Sequence, residues 1–176
     1  MSPYTHWSHG RRIASFGWTE VAGFKSEKLL APVWLAVWRG QTEPPAPVLA
    51  PDALFGVRVE VRPPHGRHPV WGGLVKGIVD GVICAFHGHT DVTVLPEVVA
   101  RLARILPADA EEIDGYLRRR DRAVLGEVYR LVAPYRSGVK WDPADHRCVA
   151  GEVIAVPADP GTPHWEIKGE IFELSR

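Results

Sequence analysis

Residues 71–86 constrain this chain more than any other stretch. Trp71, Leu74, Val75, Ile78, Val79, Val82, Ile83 and Phe86 recur at alternating steps of three and one. That spacing predicts an amphipathic helix with a wide apolar stripe. Gly73, Gly77 and Gly81 lie four apart beside it. A glycine inside an exposed helix costs about 1 kcal/mol relative to alanine. Three at this spacing therefore predict that another backbone, or a ligand, comes close to that side.

The flanking segments change period. Over residues 55–62, Phe55, Val57, Val59 and Val61 alternate with Arg58, Glu60 and Arg62, which predicts a half-exposed strand. Residues 148–156 and 165–174 also read as strands, joined by a Pro/Gly-rich turn, with Trp165, Ile167, Gly169 and Ile171 on one face of the last. The apolar run at 32–38, stopped by Gly40, reads as a buried strand, with a short helix as the alternative. Val92 and Val94 suggest a brief strand.

Three more helices are expected in the middle of the chain. Pro96 opens one that runs to Leu106. Asp109 and Glu112 form a capping-box-like start to a second. A third, over 122–132, would turn Leu125, Val128, Tyr129 and Val132 inward. Strands at both ends around a helical middle predict an α+β fold, with a mixed or antiparallel sheet packed against three to four central helices. Residues 1–12 read as a flexible N-terminal arm and 13–176 as a single globular domain. A stiff Pro-rich loop is expected over 43–51.

Composition narrows the function classes. The 176 residues carry 21 Lys plus Arg against 21 Asp plus Glu. The zero formal charge removes the whole-chain argument for an anionic partner, though not for a local basic face. It also offers little repulsion against self-association, so a homodimer is compatible with it. No apolar run reaches the roughly 20 residues that cross a bilayer, and no secretory leader opens the chain. A soluble cytoplasmic protein without membrane contact is the expectation. Cys84 and Cys148 are too few for a disulfide framework and read as reduced, largely buried thiols. Dinucleotide, P-loop, nucleophile-elbow, C-x-x-C and H-E-x-x-H signatures are absent.

The residues with chemical potential cluster around the first helix. Lys76 and Asp80 are one turn apart, Cys84 and His87 continue nearly the same side, and His89 and Asp91 follow its end. As a site, Asp80 and Asp91 would hold magnesium or manganese, Lys76 would neutralise developing charge, and His87 or His146 would move a proton. Zinc, through His87, His89 and a carboxylate, is the secondary choice. Without a site, the same residues form a surface i,i+4 pair and loop histidines.

A second cluster holds Asp142, Asp145 and His146, with Asp142 and Asp145 as further metal ligands or as ordinary turn residues. Joint function requires these residues to converge on Asp80 and Asp91. Two basic groups, Arg58, Arg62, Arg67 and His68, then Arg118, Arg119, Arg120 and Arg122, would reach phosphate if they shared a face. Glu111, Glu112, Asp114 and Asp121 partly cancel the second group. Among seven tryptophans, Trp7 and Trp18 are candidates for stacking on a base.

Residues 76–94, K-G-I-V-D-G-V-I-C-A-F-H-G-H-T-D-V-T-V, resemble the helix-to-strand segment of small Holliday-junction resolvases of the RusA type. The resemblance covers about a tenth of the chain. It implies metal-dependent DNA cleavage, with Lys76, Asp80 and Asp91 in the corresponding roles. Thr90-Asp91 stands where that family has paired aspartates, and the glycine pattern differs. Three functions follow from the sequence: a divalent-metal-dependent enzyme on a phosphodiester or nucleic-acid substrate, a non-catalytic nucleic-acid or nucleotide-binding module, and a structural or protein-interaction domain that uses the glycine face.

Overall fold

The computed structural model describes residues 8–24, 28–41 and 47–175. Trp7 and part of the Pro-rich loop, residues 43–46, lie outside them. The elements in chain order are β1 (Ser8–Glu20), α1 (Leu30–Gly40), β2 (Leu54–Arg62), α2 (Leu74–Ala85), β3 (Gly88–His89), α3 (Leu95–Ile105), α4 (Ala110–Arg118), β4 (Glu127–Val128), β5 (Val132–Tyr135), β6 (Gly138–Trp141), β7 (Cys148–Ala155) and β8 (Glu166–Ser175). Strands from both ends of the chain enclose four helices, so the fold is α+β.

The main sheet has the order β1-β8-β2-β7. β8 runs antiparallel to both its neighbours, and β7 runs parallel to β2. A parallel pair needs a long crossover, and here that crossover carries α2, α3 and α4. Phe55, Val57, Val59 and Val61 of β2 are fully buried with Ile167 and Ile171 of β8. They share one contiguous core with Val33 and Trp34 of α1 and Ile78, Val82 and Ile83 of α2. The period-two pattern of β2 thus directs its valines inward and leaves Arg58, Glu60 and Arg62 on the other face.

The glycine spacing on α2 is explained by α1. A Cβ added at Gly81 would fall 2.7 Å from Val33 Cβ and 2.8 Å from the Leu30 carbonyl oxygen, and one at Gly77 would fall 3.1 Å from Leu29 Cβ. The close backbone therefore belongs to the same chain, and the face offered to a partner in the interaction-domain reading is covered. Gly73 plays a different part. It sits at φ 85° ahead of the first helical residue, so α2 begins at Leu74 and Trp71 stays in the preceding turn.

Several expectations change. The apolar run at 32–38 is helical, within α1, because nearly every side of it is buried and such a run carries no period to separate helix from strand. Val92 to Val94 form a single 3-10 turn capped by Asp91. No helix covers 122–132. Gly126 at φ 106° breaks that stretch, and Leu125 N donates to the Phe86 carbonyl at 3.1 Å while Gly88 N donates to that of Gly126 at 3.0 Å. Strand β1 starts at Ser8 and pairs with β8 along its length, so residues 8–12 of the expected arm belong to the sheet. Asp109 does cap α4, its Oδ1 accepting from Glu112 N at 2.8 Å. No helix among the described residues is long and apolar enough to cross a membrane.

Candidate functional site

The residues singled out by the sequence fall into two neighbourhoods. On α2, Lys76 Nζ lies 2.8 Å from Asp80 Oδ2, with the lysine side chain 77% exposed and the aspartate 12%. The hydrogen bond to Asp80, and then its charge, raise the Lys76 pKa. Asp142 and Asp145 lie in the segment between β6 and β7. With Asp80 they help push the buried Cys84 thiol well above its ordinary value, after burial itself. His87 caps the end of this side. Its Nδ1 lies 3.1 Å from the Ile83 carbonyl, and burial lowers its pKa to about 4, so the ring is neutral at pH 7. Asp142 raises and His146 lowers that value by smaller amounts.

Asp91 and His89 belong to the other neighbourhood. Asp91 Oδ1 accepts from Thr93 N at 3.0 Å and Thr93 Oγ1 at 2.6 Å. Its Oδ2 accepts from Arg130 Nε at 2.7 Å. Those bonds from Thr93 and Arg130 hold its pKa down at about 2. His89 Nε2 donates to the Asp91 carbonyl at 2.7 Å, its Nδ1 has no hydrogen-bond partner, and burial lowers its pKa. Asp142 is also engaged locally, its Oδ1 accepting from Ala144 N at 3.0 Å, and Asp145 and His146 are exposed on the following 3-10 turn. Asp80 thus pairs with Lys76, Asp142 with its own turn, and Asp91 with Thr93 and Arg130. Among the described residues, no group of three or more His, Cys, Asp or Glu side chains is arranged to hold a metal ion.

Most of the second basic group is offset by carboxylates. Arg118 pairs with Asp114, and Arg119 and Arg122 both with Asp121. Arg120 lies 3.8 Å from Glu127. Arg58 and Arg62 of the first group project from the face of the sheet that no described helix covers, Arg58 lying 3.7 Å from Glu152 and Arg62 pairing with Glu166, while Arg67 and His68 are exposed in the loop after β2.

That uncovered face holds a cavity of about 400 Å³ across β1, β8 and β2. Arg12, Arg58 and Lys168 bring positive charge to it, Glu60 and Glu170 bring negative charge, and Ser15 adds a hydroxyl. Its apolar lining comes from Phe16 with Gly17 and Gly169. Strand pairing sets the arrangement, since Arg58 faces Glu170 and Glu60 faces Lys168 across β2 and β8, and Ser15 faces Glu170 across β1. On the same three strands, the Arg62 guanidinium stacks 4.1 Å above the Trp18 ring.

The period-two pattern of β2 pointed Arg58 and Glu60 outward, and the apolar face assigned to β8 left Lys168 and Glu170 on the opposite one. Arg12 was missed because residues 1–12 read as an arm, and Ser15 because bulges break the alternation of β1. Comparison with protein-family models, with curated proteins and with solved structures finds no significant match to this chain.

Proposed function

We propose that the protein is a non-catalytic nucleotide-binding module whose site is the cavity on the uncovered face of the sheet. One observation carries the reading: three cations and two carboxylates line a single concave surface of about 400 Å³. That volume suits a small ligand. Guanidinium forks match phosphate oxygens, and a lysine adds a point charge. Carboxylates accept hydrogen bonds from ribose hydroxyls or base amino groups. Arg58 lies 3.7 Å from Glu152, so a bound phosphate would share or displace that carboxylate, and a nucleoside monophosphate combines the groups these side chains recognise.

The metal-dependent reading would need Asp80 and Asp91 on one ion. Asp80 instead pairs with Lys76, and Asp91 with Arg130, so the binding reading has the stronger geometric support. Isothermal titration calorimetry with nucleoside monophosphates, the matching nucleosides and ribose 5-phosphate tests it. A monophosphate should bind saturably and more tightly than its nucleoside. Arg58→Ala and Lys168→Ala should each weaken binding about tenfold or more, the order expected for a lost charge-assisted hydrogen bond. Absence of saturable binding, or unchanged affinity in both variants, overturns the proposal.

A further inference from the structure

From Tyr129 to Trp141 the chain carries Arg130, Arg136 and Lys140 and no carboxylate. The segment folds as a turn followed by the β5–β6 hairpin. Leu131 and Val132 are buried, and Trp141 packs against Trp34 at 5.3 Å between ring centroids. Tyr129 and Tyr135 behave differently, remaining 66% and 49% exposed. Cations lie over both rings. Arg130 lies 5.7 Å from the Tyr129 centroid, and Arg136 and Lys140 lie 5.3 Å and 5.7 Å from that of Tyr135.

The backbone beneath these side chains is held at several points. Arg101 of α3 donates to the carbonyls of Arg136 at 2.8 Å and Gly138 at 2.7 Å. Asp91 N donates to the Tyr129 carbonyl and Asp142 N to that of Leu131, both at 2.8 Å. Among the described residues no carboxylate pairs with Arg136 or Lys140, and Arg130, bound to Asp91 through Nε, keeps its side chain 53% exposed. Arg136 also adopts φ 53°, a left-handed conformation that favours glycine. The two-residue turn that joins Tyr135 to Gly138 imposes this conformation on Arg136.

We propose that this Tyr-Arg hairpin surface binds single-stranded nucleic acid without strong sequence preference. Exposed rings on a fixed backbone offer stacking platforms for unpaired bases, and the adjacent cations meet the phosphates. An acidic peptide would satisfy the cations and leave the rings without flat partners. A duplex would present phosphates and keep its bases stacked internally. The surface uses none of the residues that line the sheet cavity, so it stands or falls independently of nucleotide binding there.

Fluorescence anisotropy with a short fluorescein-labelled oligothymidylate tests the proposal on the full chain. Saturable binding is expected at about 50 mM salt and should weaken markedly towards about 200 mM as counterions are released. Tyr129→Ala and Tyr135→Ala should each weaken it about tenfold. Arg136→Gly separates binding from folding: it relieves the left-handed strain, so the melting temperature should hold or rise while affinity falls. No saturable binding, unchanged affinity in both tyrosine variants, or equal competition by a duplex or by polyglutamate overturns the proposal.

Discussion

Gly81 of α2 lies so close to Val33 of α1 that a Cβ on the glycine would come within 2.7 Å of the valine Cβ. Two rigid helices meet there, and the Leu30 carbonyl on the same side leaves little room to yield. With a side chain and a backbone oxygen both too close, overpacking should cost roughly 2–3 kcal/mol against the ~1 kcal/mol that alanine contributes to helix propensity, so Gly81→Ala should lower stability by about 1–2 kcal/mol. Gly77→Ala, facing Leu29 Cβ at 3.1 Å, should be milder. Urea denaturation of both variants checks the order, and a Gly81→Ala protein as stable as the parent refutes the packing argument.

The buried His87 should make the protein acid-sensitive. Its folded pKa is lowered to about 4 by burial, from an ordinary value of 6.5. Above pH 6.5 both folded and unfolded states are neutral there, and the group contributes no pH dependence. Between pH 6.5 and 4 the unfolded chain takes up a proton that the folded ring refuses, so stability falls. The loss approaches roughly 3 kcal/mol at ~1.4 kcal/mol per pH unit. Burial of His89 acts in the same direction. NMR titration of the His87 ring should place its midpoint near pH 4, and a midpoint near 6.5 contradicts the assignment.

Neither thiol should behave as a reactive cysteine. Burial, helped by Asp80, Asp142 and Asp145, pushes Cys84 far up, and burial raises Cys148 to about 11. Two units above the ordinary value of 9.0 leave Cys148 with about a hundredfold less thiolate at pH 8, and the thiolate is the nucleophile. Iodoacetamide labelling followed by mass spectrometry should be slow on the native protein and rapid in denaturant. Fast native alkylation at either position is the contrary result.

Helix α4 depends on its first turn. Asp109 accepts from Glu112 N at 2.8 Å, while the Glu112 carboxylate binds Arg39 of α1 and the Tyr116 hydroxyl. Asp109→Ala should cost about 1 kcal/mol, and Asp109→Asn should retain most of the capping contribution. Thermal unfolding of the pair distinguishes loss of the cap from loss of the charge, since only the alanine variant removes both.

Legibility in the sequence followed local periodicity. β2, β8, α2 and the Asp109 cap were readable because alternation, the three-and-one spacing and capping chemistry are written in adjacent residues. Trp34 and its neighbours were misread because a run buried on nearly all sides has no period. Leu125, Val128 and Val132 fit a helical spacing, yet Gly126 breaks the chain and β3 takes β4 as its partner. Spacing also placed Asp80 and Asp91 near the same helix end, but Arg130, thirty-nine residues beyond Asp91, claims the second carboxylate.

By itself, the sequence determined the α+β class, the inward valines of β2, the outward Arg58 and Glu60, and the need for a close neighbour along Gly77 and Gly81. Each follows from backbone period or from the missing Cβ of glycine. Only the tertiary structure decided that α1 is this neighbour, and that Asp80 pairs with Lys76 while Asp91 pairs with Arg130. It also decided that Arg12, Arg58 and Lys168 share a cavity with Glu60 and Glu170. Those outcomes depend on which distant strands pair and in what register, a choice made by the burial of the whole core.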